Sequence, residues 1–70
     1  MSREKWTGRL VGKMHNEEIT YEELGSELGV CKAYIGMILN GARKPEGARE
    51  RLEAAVDAII SRRKGEEAAR

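Results

Sequence analysis

Phenylalanine is missing from this chain of 70 residues, and cysteine, proline, tryptophan and histidine occur once each. A single cysteine excludes an internal disulfide, so stability has to come from packing. Cys31 and His15 are the only soft metal ligands, too few for a structural zinc site, and no metal or cofactor is expected. A Cys-His catalytic pair would still lack an orienting third group and a pocket, so the chain is expected not to be an enzyme. Neither a glycine-rich phosphate loop nor a dinucleotide fingerprint occurs, and there are no internal repeats. With no long apolar run and no signal peptide to read, the expectation is a cytoplasmic protein with no membrane span. Charge of one sign is also scarce, for the formal net charge is only +1 although 36% of residues are charged.

What is present is helical periodicity. Trp6, Leu10 and Met14 recur every four residues, with Val11 beside them, and predict a first amphipathic helix with His15 near its carboxyl end. Gly8 and Gly12 weaken that helix, and their spacing suggests tight contact with a neighbouring helix. Thr20 and Glu23 make a capping box, and Ile19 and Leu24 occupy the staple positions around it. Leu24 and Leu28 then share one face, Gly29 closes the helix with a positive backbone angle, and Val30 plugs the turn. A further helix from about Cys31 to Asn40 ends at Gly41. Pro45 and Glu46 suit a helix start, and Leu52, Ala55, Val56 and Ile59 form the buried stripe of a helix from about 47 to 63. No turn signal interrupts it, and Arg62, Arg63 and Lys64 suit its carboxyl end. The expected organisation is one domain over 1–64, with 65–70 as a frayed tail. The chain is short, so the core is small and stability marginal unless the chain dimerises.

Stepping about 100° per residue from Ile35 puts Cys31, Ile35, Ile38 and Leu39 on one arc of the third helix. Ala33, Gly36, Met37 and Asn40 fall on the other, with Lys32 at its border. In so charged a chain a solvated face would carry Lys, Glu or Arg, and this arc has no charge at its centre. It suits a groove or a protein partner better than water. Small residues allow close backbone approach, Ala33 and Met37 can touch thymine methyl groups, and Asn40 or Lys32 can hydrogen-bond bases or phosphates. Gly36 costs about 1 kcal/mol relative to alanine in a helix interior, and close approach would account for it. Lys32, Arg43 and Lys44 bracket the helix, while Arg3, Lys5, Arg9 and Lys13 load the first segment. Between them Glu17, Glu18, Glu22, Glu23 and Glu27 form an acidic block, which has to point away from any phosphate backbone.

Leu24, Gly25, Leu28, Gly29, Val30, Ile35, Ile38, Gly41 and the Arg43-Lys44-Pro45 run stand in the order found in one known family. Over 20–45 the chain resembles the helix-turn-helix of the Cro and repressor group of phage regulators, the xenobiotic-response-element type. The resemblance implies an all-α, compact four-helix domain of lambda-repressor-like type, with a central helix-turn-helix and a long C-terminal helix. Many members divide that last region into two helices; one is expected here. It further implies sequence-specific binding to a double-stranded DNA operator by a small transcriptional regulator, with the second motif helix in the major groove. Lys32, Ala33, Gly36 and Met37 would then face base edges, and Tyr21, Asn40, Arg43 and Lys44 would hold phosphates. Cys31 stands where the family usually caps with Ser or Thr, so a weaker cap is expected. Tyr21 replaces a common glutamine, which puts base contact from that position in doubt. With so few hydrogen-bonding groups on the reading arc, a homodimer is expected, with Ile60 at its interface. The alternative is a protein-interaction module on the same scaffold, docking through Ala33, Gly36 and Met37.

Overall fold

The structure, a computed structural model, describes residues 5–68, so Arg3 and the last two residues of the chain lie outside it. Four helices follow one another without strands among the described residues: α1 (Lys5–Asn16), α2 (Tyr21–Leu28), α3 (Lys32–Leu39) and α4 (Ala48–Ala68). The chain is thus an all-α, four-helix domain, and its last helix is long and undivided. Among the described residues no helix is long and apolar enough to cross a membrane.

Apolar residues from all four helices close on one core of Leu10, Met14, Leu24, Ile35, Ile38, Leu39, Leu52, Ala55, Val56 and Ile59, joined by Ile19 and Ala48. The stripe expected on α4 is therefore the one buried. On α1 the buried residues are Thr7, Leu10 and Met14, so Thr7 heads the stripe in place of Trp6, which is half-buried at its edge. Burying a threonine requires a partner for its hydroxyl, and no buried side-chain polar atom among the described residues lacks one. Gly8 and Gly12 correct another expectation: both are exposed, and a Cβ added at either would meet nothing within 4 Å. The intimate contact lies at Gly25 instead, where a Cβ would stand 2.5 Å from the carbonyl oxygen of Val30. Glycine there lets the turn fold back onto α2.

Three helix ends are built by backbone geometry. At the end of α1 the Ile19 amide donates to the Met14 carbonyl at 2.8 Å and the Glu18 amide to that of His15 at 3.2 Å. This is a Schellman closure between two core residues, and it forces Glu18 to a left-handed φ of 57°. Gly29 closes α2 in the same way at φ 75°, with the Val30 amide bonded to the Gly25 carbonyl at 2.8 Å. Val30 itself is 36% exposed and lies outside the buried core, so it covers the turn only in part. Gly41, at φ 88°, follows the end of α3.

The start of α2 forms half of the expected capping box. The Thr20 hydroxyl accepts the Glu23 amide at 3.0 Å, but the Glu23 carboxylate turns away to Arg63 at 2.6 Å. The start of α4 also differs from expectation. Pro45 does not open the helix; its carbonyl accepts the Ala48 amide at 3.2 Å across a turn in which Gly47 takes φ 75°. A positive angle at that third place is what a type II turn demands, so α4 begins only after it. At the other end α4 runs through Gly65 to Ala68, and 65–68 is helical where a tail was expected. A glycine weakens a helix interior, but it ends one only by taking a positive angle, which Gly65 does not.

Arg62 and Arg63 tie the far half of α4 to the start of the molecule. Arg63 donates to the Glu17 and Glu18 carbonyls, satisfying groups left open at the end of α1, and to the Glu23 carboxylate of α2. Arg62 pairs with Glu27 at 3.0 Å. Lys13 of α1 pairs with Asp57 of α4 at 2.7 Å, and that hydrogen bond is the main reason its ammonium stays protonated above the ordinary lysine value.

Candidate functional site

α3 is short and poorly capped. Cys31 sits at its amino-terminal cap with extended angles, φ −80° and ψ 158°, and makes no side-chain capping bond. A thiol is a weak acceptor, so the local sequence does little to start this helix, and packing of Ile35, Ile38 and Leu39 holds it in place. Cys31 is itself exposed, not part of the buried arc, because a cap residue stands outside the helical periodicity that placed it there.

Burial of one side of α3 leaves the other facing outward. Lys32 and Ala33 are exposed, Gly36 and Met37 half-buried, and Asn40 exposed. Ala33 and Met37 are one helical turn apart and so share a face. Gly36 is not open to solvent alone. A Cβ there would lie 3.8 Å from two carbons of the Tyr21 ring, which comes across from the first turn of α2 and is 39% exposed. Tyr21 thus extends the surface of α3 at Gly36, and the 3.8 Å gap is ordinary contact, so the packing of this chain does not itself require glycine.

The segment after α3 is folded back onto it. The Arg43 amide donates to the Met37 carbonyl at 3.1 Å, and the Ala42 amide donates to Asn40 Oδ1 at 2.9 Å. The first bond brings the Arg43 backbone beside Met37, with its side chain exposed. The second engages the Asn40 oxygen and leaves its NH2 group as a donor. Arg43 and Lys44 also line a concavity of about 220 Å³ with Trp6, Ile38, Pro45 and Arg49. Lys32, beside Ala33 in the first turn, and the Arg43 backbone, beside Met37, therefore border the uncharged arc at its two ends.

The acidic block is distributed by α2. Glu23 and Glu27 turn toward α4, where Arg63 and Arg62 hold them. Tyr21 is about 200° around the helix from Glu23, which is why it reaches α3 while the glutamates reach α4. Glu22 lies with them along a shallow concavity that also includes Ser26 and Arg62.

Ile60 is half-buried against the core, beside Asn16, Glu17, Glu18, Arg63 and Lys64, so its surroundings are mostly polar. Sequence reasoning missed the roles of Arg62 and Arg63, which it read only as helix-ending cations. Their partners are 35 to 46 residues away, and no local pattern encodes that distance. Among the described residues no three His, Cys, Asp or Glu side chains gather as metal ligands would.

Fold and site together define a small all-α domain whose distinctive surface is the outer face of α3. No protein-family model, curated protein or solved structure matches the chain.

Proposed function

We propose that this chain is a small regulator of the Cro and repressor type that binds double-stranded DNA, with α2 across the backbone and α3 in the major groove. The observation that carries this reading is the uncharged arc of Ala33, Gly36 and Met37, bordered by the exposed cations Lys32 and Arg43, on a chain whose Glu23 and Glu27 are paired on another side of α2. Such pairing offsets two of the five carboxylates of the acidic block and so reduces the electrostatic objection to a phosphate backbone near α3. Lys32, Ala33, Gly36 and Met37 face base edges, and Tyr21, whose ring stands beside Gly36, reaches a phosphate through its hydroxyl. Arg43, Lys44 and the Asn40 NH2 group hold phosphates, which sets register, while the groove contacts set preference.

The arc offers little discrimination to a single copy, so two copies on a twofold axis, reading half-sites about one helical turn apart, complete the proposal. Ile60 belongs to that interface in this reading, and a cytoplasmic regulator needs no catalytic step.

A salt titration on a random-sequence duplex tests the proposal. Affinity falls steeply as salt is added, and Arg43→Ala lowers the slope by about 1. Absence of binding at low salt rejects it in favour of a protein-interaction module that uses the same arc.

A further inference from the structure

We infer that the outer face of α3 reads pyrimidine 5-methyl groups in the major groove, with Ala33 and Met37 as the residues that meet them. The inference rests on the duplex-binding reading above and specifies what that surface recognises. Hydrogen-bonded base readout uses a limited set of side chains: Arg or Lys to guanine, Asn or Gln to adenine, Asp or Glu to cytosine. Between residues 31 and 40 this chain has no Arg, Gln, Asp or Glu. Asn40 is the only amide, and reading adenine requires its Oδ1 to accept from the base while its NH2 donates. One of that oxygen's two lone pairs already accepts the Ala42 amide at 2.9 Å, which ties the side chain to its own loop. Lys32, in the first turn, remains as a point charge without a fork.

The other residues on this face, Ala33, Gly36 and Met37, carry no charge and no hydrogen-bonding side chain. Ala33 presents a methyl group, Met37 a thioether one turn later, and the Tyr21 ring stands beside Gly36, 3.8 Å from where a Cβ would be. The base-edge feature complementary to such a surface is the C5 methyl of thymine, or of 5-methylcytosine, which carries the same group. Lys32 and Arg43 at the borders match a polyanion and argue against an apolar protein partner.

The test begins with selection by the full chain from a random-sequence duplex pool, followed by resynthesis of the enriched duplex with uracil for thymine. That exchange removes methyl groups and leaves every hydrogen bond in place. Affinity drops about fourfold for each contacted methyl. Met37→Ala narrows the gap between the thymine and uracil duplexes, and Ala33→Ser, at an exposed position, supplies the same comparison should the Met37 variant unfold. Replacing the contacted thymines by cytosine weakens binding, and 5-methylcytosine restores part of it, which separates the methyl group from A·T shape. Equal affinity for thymine and uracil duplexes overturns the inference while leaving duplex binding intact. Failure of any duplex to bind at low salt overturns both.

Discussion

Gly36 and Glu18 are residues whose backbone or composition runs against local preference, and the structure separates their reasons. Gly36 sits inside α3, where alanine is better by about 1 kcal/mol, and the neighbouring Tyr21 ring leaves room for a Cβ in ordinary contact. Gly36→Ala should therefore raise the urea midpoint of unfolding. In the proposed complex the same methyl stands between the helix backbone and the groove, so duplex affinity should fall as stability rises. An unchanged affinity would show that nothing approaches the backbone at 36. Glu18 occupies the left-handed angle at the end of α1, a conformation that a residue with a Cβ adopts at a cost of about 1 kcal/mol. Glu18→Gly should stabilise by roughly that amount, offset in part by the greater freedom of glycine in the unfolded chain. Thermal unfolding measures it, and a loss of stability would mean that the glutamate side chain contributes more than its backbone angle removes. Sequence showed the Gly36 anomaly but not that of Glu18, since a Schellman closure built on a charged residue has no compositional signal.

Helix ends and helix approaches belong to the scale of the element, and here three glycines behave in opposite ways. A Cβ at Gly25 would collide with the Val30 carbonyl at 2.5 Å and stand 3.3 Å from the Cys31 carbonyl carbon. Backbone atoms of a tight turn cannot yield as a flexible side chain can, so Gly25→Ala should destabilise by about 1–3 kcal/mol, read by chemical denaturation. Gly8 and Gly12 touch nothing, and Gly8→Ala and Gly12→Ala should each stabilise by about 0.5–1 kcal/mol. If the two sets moved stability in the same direction, the assignment of the close contact to the α2–α3 turn would fail. Much at this scale was legible. The Thr20 cap, the Ile19 and Leu24 staple, the Gly29 stop and the α4 stripe all follow from residue type and spacing. What was not legible is the first turn of α1, where Trp6 packs at the edge of the core and the smaller Thr7 takes the fully buried place. Volume decides that choice, and only the packed neighbours specify the volume available. The start of α4 was misread for a similar reason, because Pro45 suits a turn as well as a first helical residue.

For the molecule as a whole, the long-range ties matter most. Arg63 joins three segments, donating from α4 to the Glu17 and Glu18 carbonyls of the α1–α2 turn and to Glu23 of α2, with about a third of its side chain exposed. Arg63→Ala should destabilise by about 1–2 kcal/mol after allowance for solvent screening. Arg63→Lys should recover little, because an ammonium cannot present the planar fork that reaches several acceptors together. Urea denaturation of both variants checks this, and full recovery by lysine would mean that charge alone suffices. Loss of Arg63 should also free the Glu23 carboxylate and so weaken duplex binding under the proposed function. The Lys13–Asp57 pair follows its own pH rule. Its lysine value is raised, so its small contribution is present at neutral pH and is lost as pH rises through the lysine range, a dependence that alkaline unfolding reports.

Residue order alone determined that this chain makes four helices, roughly where they start and stop, and which stripe of the last one is buried. Those are consequences of periodicity and of caps, which act over three or four residues. Only the tertiary structure decided that Glu23 and Glu27 are neutralised by Arg63 and Arg62, that Tyr21 lies on Gly36, and that Arg43 returns to Met37. The first two join groups on different helices, and the third depends on how the chain turns back after α3, so each is fixed by how the helices pack and no local pattern contains it.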